Sequence, residues 1–168
     1  IIEKNPSDVN ARRAAARVYD EMKQPLRAMF CWQRVLRIKP NDEEGLASLA
    51  ANYKSIGDDA AAIKCYETLG HADAWRHIAF LRLKRGEKDK AIAAYRKVIE
   101  LQKADADART ALAGLLQHTG KEEDRDQAIA LYQELIQINE KDLKARLNLA
   151  NMLCEGNRYA EAQEHYEY

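Results

Sequence analysis

Four histidines, three cysteines and a scatter of arginines are the residues of this 168-residue chain whose types could do chemistry. The histidines are His71, His77, His118 and His165. Helical register sends His77 and His118 toward one common face, about two helical turns apart. That is too far for a shared metal, whose ligand bonds are about 2 Å long. Cys31, Cys65 and Cys154 form no pair with zinc spacing, and neither a glycine-rich phosphate loop nor a nucleophile elbow is present. The acidic doublets Asp58–Asp59 and Glu122–Glu123 sit where turns and first helical turns are expected, as solvated charges rather than a general acid–base pair. The sequence therefore predicts neither an enzyme nor a bound metal or cofactor. The remaining chemistry is recognition. Arg13, Arg17 and Arg76 carry forks that match carboxylates, and Phe80 offers an apolar anchor beside them.

Those groups are useful only if helices hold them in register. The stretch Trp75–Val98 shows how: a helix, a tight turn at Gly86, and a second helix folded back. Trp75, Ile78 and Ala79 make one stripe at spacings of three and four; Ala91, Tyr95 and Val98 make the answering one. The pattern recurs. Ala28, Ala62, Ala91, Ala128 and Ala162 follow one another at intervals of 34, 29, 37 and 34 residues. Four residues after each stands a large aromatic: Trp32, Tyr66, Tyr95, Tyr132 and Tyr166. Twelve residues before, Ala16, Ala50, Ala79 and Ala150 hold the matching small position on the first helix, with Ala113 set back to fifteen. Small residues let two antiparallel helices approach to about 8–10 Å, and the aromatic fills the space beside them. On this reading Trp75 is a buried core residue.

The register of small and aromatic residues resembles the tetratricopeptide repeat family over essentially the whole chain. The resemblance implies an all-α fold, a right-handed α-solenoid of stacked antiparallel helix pairs whose neighbours share one elongated core. It divides residues 1–168 into a tail of a preceding repeat (1–8, with Pro6 as a helix stop), repeats at 9–42, 43–71, 72–105 and 106–142, and an incomplete repeat at 143–168. The second helix of the second repeat stops early at Leu69–Gly70, which predicts an altered angle to the next repeat. The fourth repeat carries three extra residues in Lys121–Asp126, whose acids suit the positive end of a helix dipole. A left-handed turn is expected at Asn157. The family's first-helix tryptophan position holds Arg12, Leu46, Trp75, Arg109 and Arg146, and the arginines are expected to lie along the surface with their heads in water.

In such an array the first helices line a concave groove. Its implied lining is Arg13, Ala14 and Arg17, then Ala47, Ser48 and Ala51, then Arg76, His77 and Phe80. Thr110, Ala111 and Gly114 follow, and last Leu147, Asn148 and Asn151. Glu44, Asp73 and Asp107 fall near one rim, leaving the central arginines without a central acid. Chaperone-binding members of the family resemble each other in a two-carboxylate clamp of lysine, asparagine and arginine. Arg13, Arg17, Ser48, Asp73 and His77 stand in those places here, so that clamp is absent. The implied function is a protein–protein interaction scaffold that holds a peptide or helix carrying an acidic residue near an aromatic or leucine anchor. The alternative is a scaffold region of a larger enzyme or of a bacterial envelope or polysaccharide export machine. An RNA-binding helical repeat ranks below both.

Composition agrees. Formal net charge is zero with 32% charged residues, which argues against nucleic acid and an anionic membrane as partners. No run approaches the about 18 apolar residues that span a bilayer. An odd number of cysteines without a plausible pair predicts free thiols and a cytoplasmic location, with the periplasm as the alternative. Ile1, Ile2, Tyr166 and Tyr168 suggest uncovered array ends and self-association through them, as in a piece of a longer array.

Overall fold

The computed structural model describes residues Asp8–Glu167, and the expectations for Ile1, Ile2, Pro6 and Tyr168 lie outside them. Among the described residues ten helices run in order: α1 (Val9–Glu21), α2 (Pro25–Ile38), α3 (Glu43–Ser55), α4 (Asp59–Leu69), α5 (Ala72–Lys84), α6 (Lys88–Leu101), α7 (Ala106–Gln117), α8 (Glu122–Ile138), α9 (Leu143–Glu155) and α10 (Tyr159–Tyr166). No strand occurs among the described residues. The chain divides into two compact units, the first ending at Leu81 and the second beginning at Arg82.

One position starts the first helices. Asp8, Asp42, Asp105 and Asp142 each accept from the backbone N–H three residues on, at 2.9–3.0 Å. Each such cap is worth about 1 kcal/mol, because it satisfies a donor that the helix cannot. At the equivalent place before α5 stands a histidine, and His71 Nδ1 accepts from Ala74 N–H at 3.1 Å. Pro25 opens α2, where its missing N–H costs nothing. Helix α4 ends after 11 residues, against 14 in α2 and α6, because Gly70 turns left-handed at φ +68°. Helix α8 runs to 17 residues, with Glu122, Glu123 and Asp124 in its first turn. The tight turn ahead of α9's partner is made by Asn157 at φ +60°.

Within unit 1, antiparallel pairs α1–α2 and α3–α4 pack side by side through α2 and α3. Ala16, Ala28, Trp32, Val35, Ala50 and Ala62 are fully enclosed. In unit 2 the same arrangement joins α7–α8 to α9–α10, around Leu112, Ala113, Ala128, Tyr132, Leu149 and Ala150. All ten register alanines are buried, as close helix approach requires. The aromatics differ. Trp32, Tyr66 and Tyr132 are buried, Tyr95 is half-buried and Tyr166 is exposed.

Two expectations are corrected. Trp75 is half-buried rather than a core residue; Ala74, Ile78, Ala79 and Leu81 supply the enclosed face of α5. Arg12 and Arg109 are buried, not splayed on the surface. The length of the side chain explains it, since Arg109 Nε reaches Glu134 at 2.8 Å and its guanidinium also donates to the Asp105 carbonyl at 3.2 Å. A buried charge is tolerated when its donors are satisfied in this way. Arg146 is half-buried and donates to the Glu140 carbonyl.

Candidate binding face of the first helices

In unit 1 the sequence-selected residues sit on α1, α3 and α5. Arg13 and Arg17 lie one turn apart on α1, and both reach across to α3's beginning. Arg13 pairs with Asp42, and Arg17 forks onto Glu44 at 2.5 and 2.7 Å. Arg76 pairs with Asp73 on its own helix. The arginines are therefore engaged by acids that the sequence placed at a rim, because a guanidinium spans the gap between neighbouring helices. Desolvation pushes the Asp42 carboxyl up, but the Arg13 guanidinium and the Gly45 N–H together hold it below its usual range. Glu44 is held low chiefly by Arg17. The Arg13 Nε is enclosed without an acceptor.

Between the charges the face is small and open. Ala47 and Ala51 are exposed and Ser48 is half-buried. Phe80 stands out with 58% of its surface exposed. One turn before it, His77 stacks on Tyr66 of α4, ring centroids 4.8 Å apart. Desolvation by that packing lowers the His77 pKa, Lys54 adds to the effect, and Asp73 opposes it.

In unit 2 the selected residues are largely occupied. Thr110 returns its hydroxyl to the Ala106 carbonyl at 2.9 Å. Asn148 bonds the Tyr132 hydroxyl, and Asn151 accepts from Tyr166 at 2.7 Å. Gly114 faces open space: a Cβ there would meet no atom within 4 Å. His118 lies beyond the end of α7, at its C-cap. Among the described residues no group of three or more His, Cys, Asp or Glu side chains is placed to hold a metal ion. Cys31, Cys65 and Cys154 are unbridged, and desolvation raises the thiol pKa of Cys31 and Cys65.

Two features escaped the sequence reading. Asp20 accepts from Trp32 Nε1 at 2.7 Å and from Asn52 Nδ2 at 2.6 Å, tying α1, α2 and α3 at one point. Nothing in the sequence announces this node, since its three members lie on three helices. The second is the outward side of α2, where Leu26 and Phe30 are exposed. Lining up the five second helices would have exposed it, because their other outward positions are small or polar.

Residues 72–105 and residues 121–167 each match a family model described as "Tetratricopeptide repeat". No curated protein matches. Among solved structures, MamA is 22% identical at TM-score 0.68, covering 95% of this chain and 88% of that one. YrrB, described as a TPR protein with an unusual peptide-binding site, is 16% identical at TM-score 0.71, covering 99% and 87%. A tetratricopeptide repeat protein from Parabacteroides merdae is 18% identical at TM-score 0.63, covering 99% and 67%. At these identities the likeness is one of fold.

Proposed function

This chain belongs to the tetratricopeptide repeat family, and from that premise we propose that its α1, α3 and α5 bind an extended or helical segment of a partner protein. The observation that carries the reading is Phe80, a large apolar side chain left 58% exposed on a helix that has buried its other faces. On α3 the exposed places between the charges are likewise open, held by the small Ala47 and Ala51. YrrB, a protein of this fold described as having an unusual peptide-binding site, supports the assignment. No helix among the described residues is long and apolar enough to cross a membrane.

The charge pattern refines the ligand. A partner carboxylate has to displace an acid already in place. The Arg17–Glu44 pair is exposed on both sides and screened by water, so it opens easily. The Arg13–Asp42 pair is enclosed on the acid's side and resists exchange. The segment therefore carries an aromatic or leucine for Phe80 and an acidic residue for Arg17.

The test is to select peptides on the purified chain from a random display library and measure the winners by titration. Phe80→Ala is expected to weaken them by about 2 kcal/mol, roughly thirtyfold. Arg17→Ala should flatten the salt dependence more than Arg13→Ala does. Winners that bind Phe80→Ala as tightly as wild type refute the assignment.

A further inference from the structure

A repeat protein carries its own control, since equivalent positions can be compared within one chain. The outward side of α2 presents Leu26, Phe30, Arg34 and Arg37, with Arg27 alongside. The same register gives Ala60, Lys64, Thr68 and His71 after α3, then Asp89, Ala93, Lys97 and Glu100 on α6, and Asp126, Ala130, Glu134 and Gln137 on α8. Solvent-facing helix positions default to small or polar residues of mixed charge, as the other three show. Helix α2 departs twice over. It has no acidic residue at all, and it exposes 70% of Leu26 and 56% of Phe30. The Arg34 guanidinium lies 4.3 Å from the centroid of Phe30, so aromatic and cation are presented together. Exposed aromatics with arginine are the composition of interface anchors rather than of ordinary surface.

The complementary feature is in unit 2. Between α6 and α8 lies a cleft of about 280 Å³ lined by Ile99, Leu112, Ala130 and Leu131, with Arg96, which donates to Gln127, and Glu134 as its charged residues. That is below the about 300–1,000 Å³ of a small-molecule pocket and suits one or two apolar side chains. Glu134, already held by Arg109, lines it, and Asp126 lies about two turns before Glu134 on α8, while Glu122, Glu123 and Asp124 outnumber Arg125 and make the start of α8 acidic.

We propose that the outward side of α2 docks into the α6–α8 cleft of a second copy of this chain. Phe30 or Leu26 enters over Ala130, and Arg27, Arg34 and Arg37 face the acids of α8. Apolar knob meets apolar lining, and a helix face without an acid meets the acidic first turn of α8; the net charge of zero leaves no long-range repulsion between copies. The two surfaces are different, so the contact is head-to-tail, and each bound copy leaves one knob and one cleft free for the next. One helix face in one cleft lies near the lower end of specific interfaces, about 1,200 Å² or less, so association is weak and concentration-dependent.

The experiment is sedimentation equilibrium on the purified chain, on Phe30→Asp, on Ala130→Arg and on their equimolar mixture. Both substituted positions are exposed, and circular dichroism checks that each variant folds; Arg34→Glu serves as a second knob variant. Wild type is expected to gain mass with concentration. Each variant alone should associate at least about tenfold more weakly. The mixture should form pairs and nothing larger, because Phe30→Asp keeps its cleft and Ala130→Arg keeps its knob. A wild-type mass that stays monomeric over the whole series overturns the proposal. So does a wild type that associates while the mixture does not, which would mean that like surfaces meet. A monomeric wild type that instead pellets with phosphatidylserine vesicles through Phe30 also overturns it, and gives the α2 face to a membrane surface.

Discussion

In unit 1 a single carboxylate, Asp20, gathers the Trp32 indole and the Asn52 amide, and two further acids clamp Arg13 and Arg17. At the corresponding places of unit 2, Trp32 becomes Tyr132, Asn52 becomes the fully enclosed Met152, and Asp20 becomes Gln117. There the Tyr132–Asn148 bond and apolar packing hold α8 to α9. The same helix pairs thus share one polar node across three helices in unit 1, whereas in unit 2 separate pairwise bonds accompany apolar packing. Directed bonds specify geometry more sharply than apolar contact does, and a binding face needs its supports fixed. The polar fastening coincides with the exposed Phe80, whereas the selected asparagines of unit 2 are bonded to tyrosines.

Removing the node is the most disruptive way to test that contrast. Asp20→Ala strands the Trp32 N–H, at about 1–3 kcal/mol, and leaves the Asn52 amide with the Ser48 carbonyl alone, so a loss of about 2 kcal/mol is expected. Gln117→Ala, the same register in unit 2, should cost about 0.5 kcal/mol. Both tryptophans, Trp32 and Trp75, belong to unit 1, so indole fluorescence during urea unfolding follows that unit specifically. Equal losses for the two variants would erase the distinction between the units.

The caps sharpen the comparison by a smaller amount. Four first helices start on aspartate and α5 starts on His71. A neutral ring accepts the hydrogen bond but supplies no charge to the helix dipole. His71→Asp should therefore stabilise unit 1 by about 0.3–1 kcal/mol at neutral pH, read in the same fluorescence transition. An unchanged or lowered midpoint would show that the imidazole contributes packing that the carboxylate cannot replace.

The smallest effect is in pH. Desolvation against Tyr66 and the Lys54 charge depress the His77 pKa in the folded chain, so folding favours the neutral ring. That stability is fully present above the unfolded value of about 6.5 and is lost as pH falls through the depressed folded value. Unit 1 should lose a little thermal stability between neutral and mildly acidic pH, and His77→Gln should remove that slope. Persistence of the slope in His77→Gln would assign it to another group.

Much of the fold was legible because close packing leaves few residue choices. Alanine at ten register positions and a left-handed Asn157 or Gly70 are demands that sterics make directly on residue type. Direction was not legible. A sequence shows that Arg13, Arg17 and Arg109 are long and charged, but their partners Asp42, Glu44 and Glu134 lie 25–29 residues away, and only the helix arrangement brings them near. Trp75 misled for the same reason, since a large aromatic on an apolar stripe says nothing of how far neighbours cover it. Phe80 stands out in the sequence as a bulky residue among small ones, and its side chain is exposed. The outward side of α2 was overlooked because the second helices were read for their buried stripe alone.

Amide hydrogen exchange with and without a saturating library-selected peptide reads the proposed binding face of α1, α3 and α5 directly. Slowed exchange around Phe80 on α5 and at the start of α3, with α9 unchanged, is the predicted result. Protection confined to α9, or to α2 and α8, would contradict it.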